Sequence, residues 1–179
     1  MNCKIVLILL LGVLQLQAQS VKKAKKVKKA VVTETTKESV ADEQNKPLVW
    51  HTDMNKAVAL SNASKKPMLL FFTGSDWCGW CIRLQNEVLK TPEFASWAKK
   101  NVVLVELDFP RRTPQLPEIQ KQNNELQQGF QVQGFPTIYF VNAEVKDGKT
   151  NFVPIDKTGY VAGGPSAWLA VADGILAKK

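Results

Sequence analysis

The sequence predicts an α/β fold, a central mixed sheet flanked by helices on both faces, with parallel strands first and an antiparallel pair at the end. Apolar runs of strand length recur at residues 68–72, 102–107 and 138–141. The first, Met68-Leu69-Leu70-Phe71-Phe72, is continuous, the pattern of a central strand covered on both sides. Between the runs apolar residues repeat at helical spacing, and Asp147-Gly148 marks a closing hairpin turn. With 179 residues, 45% of them hydrophobic, the chain can bury one real core.

The elements follow in order. Lys4, an apolar run over residues 5–14 and Leu16-Gln17-Ala18 give a charged start, an apolar stretch and a small residue near the end. Residues 1–19 therefore read as a secretory signal peptide that takes Cys3 with it. The run is short of the ~20 residues that span a bilayer, so an uncleaved anchor is the lesser alternative. Residues 20–46 hold eight Lys and four acidic residues, with Lys pairs repeated through residues 22–29 and no apolar periodicity. They predict a disordered linker, either simply solvated or drawn to anionic headgroups.

The domain is expected over residues 47–179. Leu48-Val49-Trp50 is a short strand, and Thr52 or Asp53 caps a helix with Met54, Ala57, Val58 and Leu60 inward. Lys65-Lys66-Pro67 ends that helix before the run at 68–72. After Cys81 the inward positions are Leu84, Val88 and Leu89, and Thr91-Pro92-Glu93 restarts a helix with Pro at its first position. A strand over 102–108 leads to a proline-rich loop and a helix over 117–128, with Leu116, Ile119 and Leu126 inward. Strands at 138–141 and 151–155 form the hairpin, and Gly159-Tyr160-Val161 is a short last strand. A final helix buries Trp168, Leu169, Ala172, Ile175 and Leu176.

Charge excludes one class. The net charge is +8, but residues 47–179 carry fifteen basic against twelve acidic residues. A mildly basic domain and a lysine run without interleaved aromatic residues do not fit nucleic-acid binding.

Chemistry concentrates in Trp77-Cys78-Gly79-Trp80-Cys81, between a strand and a helix. These are the only cysteines besides Cys3. A thiolate is the attacking species in disulfide exchange, and a helix N-terminus stabilises it. Cys78 is thus the candidate nucleophile, and Cys81, one turn later, the resolving thiol. A zinc site needs about four ligands; one cysteine pair and His51, in another segment, give no expected metal. An inert disulfide closing so short a loop would restrain the unfolded chain little. A binding module whose disulfide never cycles is the competing class. Gly79-Trp80 carries no proline and no cation; Trp80 is expected to be partly exposed, and Trp77 to pack beside the site.

On Phe71-Phe72-Thr73-Gly74-Ser75-Asp76-Trp77-Cys78-Gly79-Trp80-Cys81 and on Gly134-Phe135-Pro136-Thr137, the chain resembles the thioredoxin superfamily over roughly residues 48–179. It is most similar to exported thioredoxin-like proteins of bacteria, whose relatives include the C-terminal domain of the membrane thiol:disulfide interchange protein. The resemblance implies a thioredoxin fold, a cis Pro136 facing the dithiol, and Phe135 offering backbone groups to an extended substrate segment. Trp77, Gly79, Trp80, Phe135, Pro136 and Thr137 then form the substrate-binding set. One departure matters. The family's buried aspartate, six residues before the first cysteine, is here Phe72, and its partner lysine on the next strand corresponds to Glu106. Glu106 becomes the candidate proton acceptor for Cys81.

The expectation is an exported, periplasmic thiol–disulfide oxidoreductase acting on protein thiols and disulfides as a monomer without a cofactor. A reductase would draw electrons from a membrane donor; the sequence leaves the direction open.

Overall fold

The computed structural model describes residues 47–178. The expected signal peptide, Cys3 and the Lys-rich linker lie outside the described residues. Eleven elements follow in the order β1 (Trp50–His51), α1 (Met54–Ser64), β2 (Met68–Thr73), α2 (Gly79–Leu84) running into a π-helical turn (Gln85–Leu89), α3 (Pro92–Asn101), β3 (Val103–Asp108), α4 (Pro117–Gly129), β4 (Thr137–Lys146), β5 (Lys149–Thr158) and α5 (Gly164–Leu176). The five strands form one sheet in the order β1-β3-β2-β4-β5. β1, β3 and β2 run parallel, while β4 and β5 are antiparallel to their neighbours.

Strand β2 is buried at all six positions, because strand alternation sends its side chains into two cores. Leu69 and Phe71 join Leu104, Ile138 and Phe140 on one face, covered by α2 and its π-helical turn, α3 and α5 through Leu84, Val88, Phe94, Ala98, Trp168 and Ala172. Met68, Leu70 and Phe72 join Val105, Leu107, Tyr139 and Val141 on the other, covered by α1 through Met54, Ala57 and Val58. Phe94 is the pivot of the first core: its ring stacks on Trp50 at 6.2 Å and meets Trp168 edge-on at 5.6 Å.

Helix starts obey their local chemistry. The Asp53 carboxylate accepts from the backbone N–H of Asn55 and Lys56, capping α1. The Thr91 hydroxyl caps α3 ahead of Pro92 at the first helical position. Asp147 and Gly148 both have positive φ, as the tight turn between β4 and β5 requires.

Several expectations change. Leu60 is exposed, and Ser61 takes its place inward because its hydroxyl donates to the Lys66 carbonyl. Leu116 is 64% exposed and precedes α4; Ile119 and Leu126 are only half-buried. The buried residue of α4 is Asn123, whose amide donates to the Asp108 carbonyl. The hairpin strands extend well past the apolar runs that predicted them, since cross-strand pairing continues into solvent. Residues 159–161 are a loop, not a strand.

Phe94→Ala removes the fully buried ring at the centre of the first core. It should lower the unfolding free energy by about 3–5 kcal/mol. Urea titration should show an earlier midpoint with an unchanged slope.

Candidate active site

The site is built at the C-terminal end of β2. Parallel pairing sets Thr73 beside Asp108, and antiparallel pairing sets Phe72 beside Thr137. Two loops from neighbouring strands therefore flank the turn that leaves β2. In that turn the Gly74 carbonyl accepts from the N–H groups of Trp77 and Cys78. Gly74 is required by contact: a Cβ there would lie 2.4 Å from the Trp77 indole. The indole seats on the bare glycine, and its Nε1 donates to the Phe109 carbonyl at 2.8 Å.

Cys78 caps α2 with an extended backbone, and Cys81 lies in the first turn. They form a disulfide. The Cys81 N–H donates to Cys78 Sγ at 3.2 Å, and the Cys78 carbonyl accepts from Cys81 and Ile82. Cys78 keeps 6% of its surface exposed and Cys81 none. An attacking or incoming sulfur thus meets Cys78 first.

Two carboxylates lock the turn to the loop after β3. Asp108 accepts from Ser75 through both the N–H, at 2.8 Å, and the hydroxyl, at 2.6 Å. Asp76 accepts from the N–H groups of Arg111, Arg112 and Thr113 at 3.0, 2.7 and 3.1 Å. These bonds, Arg111's foremost, hold the Asp76 carboxyl below the usual carboxylate range against a smaller opposing effect of desolvation. The Arg111 guanidinium lies 3.7 Å over the Trp77 ring.

Opposite stands the 134–137 loop. The Phe135–Pro136 peptide bond is cis. Phe135 stacks on Phe109 at 5.1 Å and meets Trp77 edge-on at 5.8 Å. The Thr137 hydroxyl donates to the Gly134 carbonyl at 2.7 Å, closing the loop on itself. Gly79 is exposed and open on its outer side. Trp80 is 55% exposed, its ring 5.2 Å from that of Tyr160. The fold thus brings Trp77 and Phe135 together, while Trp80 packs against Tyr160.

Glu106 occupies the face that carries the dithiol. It pairs with Phe71 and alternates with Val105 and Leu107, which point into the opposite core. Desolvation pushes its carboxyl above the usual range; Asp108 adds to the rise and Lys90 opposes it. Phe72 belongs to the opposite core. The two positions matched to the family's aspartate–lysine pair are therefore on opposite faces of the sheet and do not form a pair. His51 lies in edge strand β1. Among the described residues no group of three or more His, Cys, Asp or Glu is arranged to hold a metal.

Sequence reasoning passed over Asp76, Asp108, Phe109, Arg111 and Tyr160. Residues 109–117 read only as a proline-rich loop, since a carboxylate that caps another loop's N–H groups leaves no periodic trace. Arg83 and Glu87 were passed over as well, although their four-residue spacing is the signal that could have found the ion pair they form.

Because the Asp76 carboxyl is lowered in the folded state, its stabilisation is present above the ordinary aspartate range and is lost as pH falls through its folded value. The stability advantage of wild type over Asp76→Asn should be largest at neutral pH and shrink below about pH 4. Urea midpoints at pH 7 and pH 3 check this; an equal difference at both would assign the effect to shape, not charge.

Comparison with known proteins bears on the whole domain. A family described as Thioredoxin-like matches residues 49–143. The chain is 37% identical over 115 residues to the disulfide bond reductase DsbH of Chlamydia pneumoniae, covering 64% of this chain and 65% of that protein. It is 31% identical over 112 residues to the thioredoxin-related protein DsbJ of Chlamydia pneumoniae, covering 63% of this chain and 32% of that one. In both cases the match spans less than two thirds of the relative. A solved structure titled DsbH Oxidoreductase superposes with a TM-score of 0.65 at 33% identity, over 75% of this chain and 88% of that one. With a five-stranded mixed sheet, a cysteine pair opening α2 and a family match over more than half its length, the chain belongs to the thioredoxin-like family.

Proposed function

We propose that this protein is an exported thiol–disulfide oxidoreductase that reduces protein disulfides. The observation that carries the reading is the Cys78–Cys81 disulfide at the start of α2, with only Cys78 reaching the surface. The name of the relative DsbH, disulfide bond reductase, supports the reducing direction.

In the reduced protein the Cys78 thiolate attacks one sulfur of a substrate disulfide. A mixed disulfide forms and the other substrate sulfur leaves as a thiolate. Cys81 then attacks Cys78 Sγ, the Cys78–Cys81 bond closes, and the second substrate thiol is released. Two electrons pass from the dithiol to the substrate, and no dissociable cofactor is needed. The Cys81 N–H aimed at Cys78 Sγ favours the thiolate over the thiol. In this scheme Trp77, Gly79, Trp80, Phe135, Pro136 and Thr137 contact the substrate, and the Phe135 backbone is the partner for an extended substrate segment. A protein of the membrane returns the electrons.

Export rests on the leader pattern of residues 1–19. Among the described residues no helix is long and apolar enough to cross a membrane. The Lys-rich segment at 20–46 serves as a spacer, and the domain acts as a monomer.

Glu106 is the proton acceptor for Cys81 in this scheme. It shares the dithiol's face of the sheet, and desolvation raises its carboxyl above the usual range, which favours holding a proton. Glu106→Gln should slow the closing attack of Cys81 by on the order of 10²-fold near neutral pH. The deficit should fade at alkaline pH, where Cys81 ionises unaided; rapid-quench measurement of mixed-disulfide decay decides it. An equal rate in the variant removes Glu106 from the scheme.

The central test is the reduction potential of the Cys78–Cys81 pair against a defined thiol buffer. A value near about −270 mV supports a reductase; one near −120 to −180 mV reverses the direction. A pair that never cycles leaves a binding module instead. In the reduced protein, iodoacetamide at neutral pH should modify Cys78 well before Cys81, and equal rates would overturn the assignment of the nucleophile.

A further inference from the structure

Three residues beside the dithiol, Arg83, Glu87 and Tyr160, are used by none of these steps. Trp80, between the two cysteines, leaves 55% of its surface in solvent yet is not free. The Arg83 guanidinium lies over two rings, 5.3 Å from the centre of Trp80 and 5.0 Å from that of Tyr160. A single carboxylate fixes both partners: Glu87 accepts from Arg83 Nε at 2.8 Å and from the Tyr160 hydroxyl at 2.6 Å. Tyr160 is anchored from behind as well. The neighbouring Gly159 carbonyl accepts from the buried Trp168 indole at 3.1 Å, and a Cβ on Gly159 would meet the Pro136 carbonyl oxygen at 3.1 Å. The cluster is therefore tied both to the helix that carries the cysteines and to the loop that carries Pro136.

We propose that Tyr160, Arg83 and Glu87 hold Trp80 as a neutral aromatic platform that selects protein disulfides flanked by aromatic side chains. This rests on the thiol–disulfide reading above and narrows its substrate class. Geometry decides the chemistry of the partner. An exposed indole next to the reactive sulfur offers a π face to the residue beside the substrate cysteine. The Arg83 charge is met by Glu87, so the platform offers no net cation to an acidic neighbour. Holding the indole in place beforehand removes part of the ordering cost of stacking on it. Tyr160, Arg83 and Glu87 are positioning residues; Trp80 makes the contact.

The test uses the reduced full-length protein and three pentapeptides with one cysteine each, presented as mixed disulfides with glutathione. The cysteine is flanked on both sides by phenylalanine, by alanine or by glutamate. Wild type should prefer phenylalanine by about five-fold in kcat/KM, carried by KM. Tyr160→Ala should erase the preference through KM, and Tyr160→Phe, which keeps the ring, should restore most of it. Arg83→Ala, on the exposed side of α2, gives the same loss without touching the core. Equal kcat/KM for all three peptides in wild type, a preference for glutamate, or a phenylalanine preference that survives Tyr160→Ala or Arg83→Ala overturns the platform and leaves the oxidoreductase reading standing. If the wild-type protein opens none of the three mixed disulfides, the oxidoreductase reading falls and the platform falls with it.

Discussion

Strand β2 must keep its register, and the rest of the molecule depends on that constraint. All six of its residues are buried, with Leu69 and Phe71 in one core and Met68, Leu70 and Phe72 in the other. A slip of one residue would exchange the two sets and empty both cores of their fitted shapes. Because β2 cannot slip, Phe72 stays opposite Thr137 and Thr73 stays beside Asp108. Those two pairings bring the cis-proline loop and the post-β3 loop to the end of the strand where the cysteines emerge.

Given that frame, the reactive turn is held by groups of modest individual strength. A neutral contact, the Trp77 indole on bare Gly74, sets its shape. Two carboxylates, Asp76 and Asp108, then fasten it to the neighbouring loop by accepting from N–H and hydroxyl donors. Charge-assisted bonds of this kind are shorter and stronger than neutral ones. Their positions leave Cys78 with a small exposed fraction and Cys81 fully enclosed. The asymmetry of the two thiols is therefore a property of the turn as a whole, not of the four residues that define the motif.

How much of this was legible follows from where each signal resides. The central strand was plain because burial on both faces writes an unbroken apolar run. The cysteine helix was plain because Cys81, Leu84, Val88 and Leu89 all face one core. The π-helical turn at Gln85–Leu89 was not, since the apolar spacing there suits an ordinary helix equally well. The hairpin was under-read in length because Glu144, Lys146 and Thr150 pair their backbones in solvent, where nothing demands apolar side chains. Helix α4 was misjudged because its buried position is an amide, Asn123, satisfied by a carbonyl 15 residues away. Within the site, the cysteines and the Gly134-Phe135-Pro136-Thr137 segment were legible as motifs. Asp76, Asp108 and Tyr160 were invisible because their roles exist only after distant loops meet.

The outer strands carry a further consequence. A row of unpaired N–H and C=O groups is a template on which another chain can build. Here one border of the sheet is a strand of only two residues, Trp50 and His51. The other, β5, is long but carries Pro154, which has no N–H to offer, and lysines at 149 and 157. Its register also shifts opposite Phe140 and Val141, which bends the ladder. A protein that handles other proteins in partly opened states would be at risk of growing sheets with them. Short length at one border, and a proline, lysines and a register shift at the other, limit such growth.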